Sequence, residues 1–595
     1  MEDIVFKPIK TWVVENYLAI LFAILSGLLT VLPHLLAAHA LGNDYHGIPF
    51  LMSDNEDYYL ARVQEIADGH GFVSSPYFYE YKNTLPVVPS IGEYIYATLR
   101  ILTGLSSPDT LVLAKFALPL LLFLLVYTFI RQVSEDNNST KNTWGAIAGA
   151  CFIVLGIELI DYHTVYGRLT GTIHHMRFLS AWVRPVNPIT GALFLFTYLH
   201  FLWRSLKEHS WLYPVLSGFL IALSLGYIFT VGIELTLLGF LFLFALWCKD
   251  FSLLKRLGGI AFVGIGIASL YWLSVFNALI KGGVSAGKNG LMHTHMLLPN
   301  KVLLATALLI ALFIFIARKH EDLLIVRQRA KFLPLWFVFA LLLSGMVVLN
   351  QQIVTGVTIW PYHFVQYTNP LAIASLFIVG FILLSHHYGR IWKILTGMII
   401  VASVGFAALN ATTYVYAMDT YRGFQDFAPA YTWLNAHAQK DCVVLSVDDD
   451  DELFTGFLPG FTSCNVYQTK NFVSGSTPDE RVRFNFFVLL RMRGVGAGEI
   501  DEYLMQHSDL VLRYFYNDYQ ELFGLNKSDH IAIITPAIAS EYKHFLQNDF
   551  FDELRRYRLD YVITRSHLSK KAEKELYGHL FQLFTSNNTT IYSFK

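Results

Sequence analysis

The strongest candidate for chemistry in this chain is a cluster of three carboxylates near its beginning. Asp54, Glu56 and Asp57 fall within the run SDNEDYYLAR, which starts at Ser53. A carboxylate can accept the proton of an attacking hydroxyl or hold a divalent cation such as Mg²⁺ or Mn²⁺. The alternative is a capped helix, because the helix dipole favours acidic residues in a first turn. We expect Asp54 to act as the base, with Glu56 or Asp57 as a helper or metal ligand.

Cationic side chains further along the chain are candidates for binding a phosphate group. Breaking a bond to phosphate leaves charge on the phosphate oxygens, and arginine binds such oxygens in a bidentate manner. The candidates are Arg62, Arg168, Arg184 and His363. The alternative for the arginines is ordinary attraction to anionic lipid headgroups.

A metal ion at the same site would need further ligands. The adjacent pair His174 and His175 could supply them, together with Asp54 and Glu56. Adjacent histidines often point apart on a helix, so the pair is a weak indication. No cofactor follows from the sequence with certainty, and a divalent cation remains an open expectation.

The elements that must position these residues are mostly membrane helices. The chain has 595 residues, is 54% hydrophobic and has a net charge of −1. Residues 420–595 hold 41 of the 89 Asp, Glu, Lys and Arg residues, which is a density typical of soluble domains. The first 419 residues hold the other 48. The absence of a basic block argues against a nucleic-acid partner.

Apolar runs of about 18–25 residues predict bilayer-spanning helices. They recur near 17–38, 111–130, 143–160, 187–203, 211–229, 231–248, 257–276, 301–317, 333–349, 370–385 and 394–416, which predicts about eleven spans. Alternate loops are rich in Lys and Arg, so the positive-inside rule predicts a cytoplasmic N-terminus and an extracytoplasmic C-terminal part. We therefore expect a multi-pass protein of the plasma (inner) membrane, in contact with membrane lipids.

We expect two domains, a transmembrane domain over 1–419 with a long first outer loop (39–110), and a soluble α/β domain over 420–595. Within that loop, the segment from Tyr58 to Ala67 predicts an amphipathic helix on the membrane surface. In the soluble domain, the sequence predicts strands over 442–447, 530–535 and 561–564 and a helix over 499–506. Cys442 and Cys464 are either a disulfide or two buried free thiols.

This arrangement resembles the GT-C superfamily of membrane glycosyltransferases. The run DYYLAR from Asp57 to Arg62 is similar to a stretch of oligosaccharyltransferase catalytic subunits, and the run PVVP from Pro86 resembles one of protein O-mannosyltransferases. Aminoarabinose transferases belong to the same superfamily. The Trp-Trp-Asp-Tyr-Gly motif of oligosaccharyltransferases is absent after the first tail strand, where Ser446 is followed by Val447 and five acidic residues. That difference counts against transfer to asparagine.

The resemblance implies an inverting hexosyl or pentosyl transferase of the cell envelope. The donor would be a polyprenyl-phosphate-linked sugar, and the acceptor hydroxyl would belong to a lipid, a glycan or a protein. In the superfamily the first-loop acid is the proposed base or metal ligand, and Asp54 is the matching position, with Asp57 second. The alternative functions are a transporter or flippase for a lipid-linked glycan, and an inactive relative that scaffolds envelope assembly.

Overall fold

The protein is an α-helical membrane protein with a C-terminal α/β domain. A computed structural model describes residues 11–84, 86, 90–134, 140–170, 172, 180–224, 228–281, 291–317, 329–385, 388–447, 452–469, 477–565, 575–576, 578–586 and 589–595. The elements before the C-terminal domain are α1 (Tyr17–Leu41), α2 (Glu56–Ala67), α3 (Ile91–Thr103), α4 (Ser107–Ser134), α5 (Thr140–Leu155), α6 (Tyr162–Thr170), α7 (Ile189–Lys207), α8 (Leu212–Leu223), α9 (Ile228–Trp247), α10 (Phe251–Lys281), β1 (Leu291–His293), α11 (Lys301–Ala317), α12 (Arg329–Leu349), α13 (Gln352–Thr355), β2 (Val357–Ile359), α14 (Pro361–Leu384) and α15 (Gly389–Asn410).

Each of the eleven predicted spans coincides with a helix. Within the described ranges, seven helical stretches are long and apolar enough to cross a membrane, and three shorter ones are apolar. The remaining predicted span, 187–203, corresponds to α7. In a bilayer, backbone polar groups must be satisfied within the segment, so apolar runs of this length fold as helices.

The membrane helices pack closely through small residues. A side chain at Gly27 of α1 would place its Cβ 2.6 Å from the carbonyl oxygen of Phe116 on α4, so only glycine lets the two backbones approach this far. The α1–α4 pair matters for the site because α2 follows α1 in the chain and contacts α4.

The C-terminal domain contains a five-stranded mixed sheet. Its elements are α16 (Met418–Gln425), α17 (Ala428–His437), β3 (Val443–Ser446), α18 (Glu452–Phe461), β4 (Asn465–Val466), α19 (Asp479–Met492), α20 (Ile500–Gln506), α21 (Ser508–Phe515), α22 (Lys527–Phe545), α23 (Phe550–Leu554), β5 (Tyr561–Thr564), β6 (Leu580–Ser586) and β7 (Thr589–Phe594). The strand order is β4-β3-β5-β7-β6. β3 is parallel to β4 and β5, and β7 is antiparallel to both β5 and β6.

Most of the local predictions for this domain are confirmed. The runs 442–447 and 561–564 contain β3 and β5, and 499–506 contains α20. The predicted strand at 530–535 is wrong, because these residues lie inside α22. The Asn526 side chain accepts a hydrogen bond from the Asp529 backbone N–H at 2.8 Å. That cap starts a long helix whose tertiary packing overrides the strand preference of the isoleucines.

Helix α2 is present as predicted, but it does not lie on the membrane surface. Eight of its twelve residues are buried, and the helix is enclosed by α3, α4 and α18 of the C-terminal domain. The C-terminal domain therefore covers the first long loop. We call the side of the membrane helices on which this domain lies the domain side.

Candidate active site

Glu56 opens α2 in a fully buried ion pair. Its Oε1 lies 2.5 Å from Nζ of Lys115, which is itself only 2% exposed in the span α4. Its Oε2 accepts hydrogen bonds from the backbone N–H and the hydroxyl of Ser53, at 2.8 and 2.7 Å. Lys115 Nζ also lies 3.3 Å from Nδ1 of His34 on α1. Both oxygens of Glu56 are thus engaged by the protein, which leaves this carboxylate unsuited to hold a metal ion.

The other two acids of the cluster lie in different surroundings. Asp54 is exposed in the turn before α2, next to Asn55, whose φ of +56° lies in the left-handed region. Asp57 is half-buried in the first turn, and burial raises its pKa to about 6. A carboxyl group with a pKa in this range is suited to take up and release a proton near neutral pH.

A row of tyrosines lies beside these acids. The rings of Tyr58 and Tyr59 are 5.4 Å apart, and those of Tyr58 and Tyr77 are 6.3 Å apart. Tyr77 is close enough to Asp57 for the negative charge of the Asp57 carboxylate to act on the Tyr77 phenol. Its buried hydroxyl has no hydrogen-bond partner among the described residues. A buried polar group without a hydrogen-bond partner destabilises the folded protein unless water or a bound molecule supplies that partner.

Arg62 lies next to Tyr58 in this row of tyrosines and forms a buried ion pair. Its Nε donates to Glu93 of α3 in a very short ion pair, and both side chains are about 1% exposed. Its Nη1 lies 3.3 Å from the Tyr58 hydroxyl and from the Val73 carbonyl oxygen. Arg62 therefore joins α2 to α3.

Two of the predicted residues come together at the other end of the row. Arg184 donates from Nη2 to the Tyr59 hydroxyl at 3.5 Å, and its charge acts on His363 in the first turn of α14. The His363 ring is stacked on Phe229 of α9 at 5.1 Å. Within the described part of the chain, Arg184 Nε and His363 Nδ1 are buried and have no hydrogen-bond partner.

The segment that carries Arg184 is anchored by residues that sequence reasoning missed. Glu158 Oε1 accepts a hydrogen bond from the Ala181 backbone N–H at 3.1 Å. Tyr367 of α14 donates to Asn187 at 2.5 Å. Lys115 was also missed, although a lone charge inside an apolar span is a recognised signal of function.

A second charged cluster joins the first long loop to the C-terminal domain. Lys82 Nζ lies 2.7 Å from Glu65 of α2 and 2.6 Å from Asp441, two residues before the start of β3. His70 is 3.3 Å from the same Asp441 carboxylate. Beside it, Cys442 and Cys464 form a disulfide, which decides between the two alternatives for these cysteines. The C-terminal domain therefore holds the C-terminal end of α2 through ionic contacts.

Some predicted site residues cannot be placed. His174 and His175 lie outside the described residues. Arg168 lies on α6, but its side chain is likewise outside them. No group of three or more His, Cys, Asp or Glu residues suited to a metal ion occurs in the ranges that the structure describes.

No protein-family model and no curated protein matches the chain. Among solved structures, it is similar to the oligosaccharyltransferase AglB from Archaeoglobus fulgidus in complex with an inhibitory peptide and a dolichol-phosphate, with 12% identity, coverage of 98% of this chain and 74% of that one, and a TM-score of 0.42. The Archaeoglobus fulgidus oligosaccharyltransferase tethered to an acceptor peptide gives 12% identity, 98% and 75% coverage and a TM-score of 0.42. Its complex with Zn and sulfate gives 13%, 96% and 72%, and 0.39. Oligosaccharyltransferases are one of the groups that the sequence resembles.

Proposed function

We propose that this chain is an inverting membrane glycosyltransferase of the GT-C type. It would transfer a sugar from a polyprenyl-phosphate donor to an acceptor hydroxyl on the domain side of the membrane. One observation carries the proposal. Three buried polar atoms without partners among the described residues, Tyr77 Oη, Arg184 Nε and His363 Nδ1, border one row of tyrosines that starts at the acids of α2.

The depth of these groups supports a lipid-linked donor. His363 lies in the first turn of α14, which is a candidate membrane span, so the site lies where a bilayer presents its headgroups. Arginine is the side chain best suited to bind phosphate oxygens in that setting, because its planar fork donates two parallel hydrogen bonds. Arg184 and His363 would stabilise the charge that develops on the leaving phosphate.

The reaction would be a single displacement. The acceptor oxygen attacks the anomeric carbon as the bond from that carbon to the phosphate oxygen breaks, and the acceptor proton passes to a carboxylate. We assign this base to Asp57, because its raised pKa matches the task and its charge faces Tyr77. Asp54, exposed one turn earlier, is the alternative base. Glu56, paired with Lys115, is a positioning residue.

The test is transfer in reconstituted vesicles, with radiolabelled polyprenyl-phosphate hexoses and pentoses as donors and membrane lipid extract or peptides as acceptors. Asp57→Asn should lower turnover by about 10²–10⁴-fold, the usual contribution of a general base. Asp44→Asn is the matched control, since Asp44 is an exposed acid in the same loop that pairs with the equally exposed Arg422. Full turnover by Asp57→Asn, with loss only in Asp54→Asn, would move the role of base to Asp54.

The phosphate role is tested separately at Arg184. Arg184→Lys keeps the charge but loses the planar fork, so we expect partial activity, and Arg184→Gln should be nearly inactive. Arg204→Gln is the control, because Arg204 is half-exposed, pairs with Glu208 one turn away and lies over the Tyr213 ring, away from the candidate site. Movement of an unmodified fluorescent donor across the bilayer, without covalent transfer by the wild-type protein, would replace this proposal with a flippase.

We also propose that the domain side is extracytoplasmic. The Cys442–Cys464 disulfide supports this orientation, because such bonds persist in oxidising compartments. In intact cells, a membrane-impermeant thiol reagent should label Ile533→Cys, a position on α22 of the C-terminal domain that is 71% exposed. Labelling that requires permeabilised cells would place the C-terminal domain in the cytoplasm.

A further inference from the structure

The backbone at Val186 adopts a conformation that its side chain disfavours. Its φ is +61°, in the left-handed region, where the branched Cβ of valine crowds the backbone and glycine is the residue expected. A strained residue persists only where its surroundings hold it, and such residues are concentrated at functional sites. Val186 lies two residues after Arg184, to which we assign binding of the donor phosphate. The strain therefore lies in the segment that orients the Arg184 side chain.

The C-terminal side of Val186 is fixed by the helix that follows it. The Val186 carbonyl oxygen accepts hydrogen bonds from the Thr190 backbone N–H at 3.0 Å and from the Thr190 hydroxyl at 2.5 Å. Thr190 is a buried residue in the first turn of α7. Rotation about the N–Cα bond of Val186, which is φ, therefore decides where the chain leading back to Arg184 lies relative to α7.

The N-terminal side of Val186 is held by Tyr96 of α3. The Val186 backbone N–H donates to the Tyr96 hydroxyl oxygen at 3.1 Å, and both residues are buried. A hydrogen bond to this N–H fixes the plane of the peptide unit that precedes Val186, and with it the value of φ. Tyr96 is also close enough to Glu56 and Glu93 for their charges to act on its phenol. Tyr96 thus lies where α2, α3 and the segment before α7 meet.

We propose that Tyr96 is a positioning residue for phosphate binding: its hydroxyl holds Val186 in the left-handed conformation and thereby directs the Arg184 guanidinium at the phosphate of the lipid-linked donor. This role rests on the phosphate-binding function proposed above for Arg184. The Arg184 Nε is buried and has no hydrogen-bond partner among the described residues, so the guanidinium retains a donor for a ligand. Two parallel hydrogen bonds to a phosphate require an accurate orientation of the guanidinium plane.

Removing the hydroxyl, and then the strain, tests this role. Tyr96→Phe keeps the ring and its packing but deletes the acceptor of the Val186 N–H, so φ should relax to a negative value and Arg184 should lose its orientation. In the double variant Tyr96→Phe/Val186→Gly, glycine adopts the left-handed conformation without strain, so the segment no longer needs the hydroxyl. A purely structural role of Tyr96 predicts the opposite, because the double variant also loses a buried side chain.

The probe is tritiated polyprenyl monophosphate, the leaving group of the proposed reaction, bound to the purified full-length protein in detergent micelles. We expect Tyr96→Phe to weaken binding about tenfold, the loss expected when a hydrogen bond to a charged group is misaligned, and the double variant to recover most of it. Arg184→Gln should abolish binding. Tyr431→Phe is the matched control and should bind as the wild type does, because its buried hydroxyl donates to the Phe454 carbonyl oxygen at 3.2 Å within the C-terminal domain.

Hydrogen exchange at the Val186 amide tests the contact itself without any ligand. This amide should exchange slowly in the wild type and at least about tenfold faster in Tyr96→Phe, because its acceptor is gone. Unchanged exchange, unchanged phosphate binding by Tyr96→Phe, or a double variant that binds more weakly than Tyr96→Phe would each overturn the positioning role. Equal binding by the wild type and Arg184→Gln would instead refute the phosphate role of Arg184, and the role of Tyr96 with it. Because the probe is the leaving group, these results do not require that sugar transfer occur.

Discussion

The buried pair of Glu56 and Lys115 permits a prediction that separates support of the fold from support of the reaction. Replacing Lys115 with methionine keeps the length of the side chain and removes its charge. Glu56 then remains fully buried, with only the two hydrogen bonds from Ser53. Replacing Glu56 with glutamine instead leaves the lysine ammonium buried next to His34.

The magnitude follows from the burial of both partners. Removing one member of a buried ion pair costs about 3–5 kcal/mol, because the remaining charge is desolvated and uncompensated. Removing both charges together costs far less, since a buried pair contributes little net stability. We therefore expect each single variant to lose about 3–5 kcal/mol of unfolding free energy. The double variant should lose only about 1 kcal/mol. The sum of the two single losses is about 6–10 kcal/mol, so the double variant should fall short of that sum by about 5–9 kcal/mol, which is the coupling energy of the pair.

The assay is unfolding of the purified protein in mixed micelles titrated with SDS, followed by transfer activity on the folded fraction. The Lys115→Met/Glu56→Gln double variant should be folded but should transfer sugar slowly, because the first turn of α2 is no longer held to α4. Arg204→Gln, which breaks an exposed pair, should change stability by less than about 1 kcal/mol. A double variant whose loss equals the sum of the two single losses would refute the reasoning, since the charges would then not be coupled.

Three further predictions concern other parts of the molecule. Burial raises the pKa of Asp57 to about 6, so its ionised form is lost on acidification; transfer should fall as pH drops through 6, and a rate that is flat or rises toward pH 5 contradicts the assignment. Replacing Cys442 and Cys464 with serine opens a loop of 22 residues and should cost about 3 kcal/mol in thermal unfolding; an unchanged melting temperature would show that the bond is dispensable. A methyl group at Gly460 of α18 would overlap Leu60 of α2, so Gly460→Ala should destabilise the protein by about 1–3 kcal/mol, and the added change Leu60→Ala should recover part of that loss.

Much of the architecture is predictable from local sequence patterns. The apolar runs are long enough to be helices in any packing arrangement, because a bilayer leaves the backbone no other way to satisfy its polar groups. Each of the eleven predicted spans contains a helix in the part of the chain that the structure describes. The short strands β3 and β5 are likewise predictable, since their β-branched runs fit a buried sheet. The strand predicted at 530–535 is wrong because the β-propensity of its residues is weak compared with tertiary packing and helix capping.

The candidate site is only partly predictable. The acids of α2, Arg184 and His363 are recognisable by residue type and by their position in loops or at helix ends. Their partners are not, because each partner is distant in the chain: Glu56 pairs with Lys115, Arg62 with Glu93, and Arg184 contacts Tyr59. Two of the predicted site residues, Glu56 and Arg62, thus form buried ion pairs that connect α2 to neighbouring helices.

The sequence by itself determines that this is a many-helix membrane protein with a charged C-terminal domain and an acidic cluster in its first long loop. Hydrophobicity, charge and helix length are local quantities, and they are sufficient for those conclusions. Only the tertiary structure decides which carboxylate is buried beside tyrosines, which is paired with a lysine, and which loop helix is enclosed by the C-terminal domain. These properties depend on burial and on charges from distant segments, and a linear sequence does not contain them in a form that local patterns reveal.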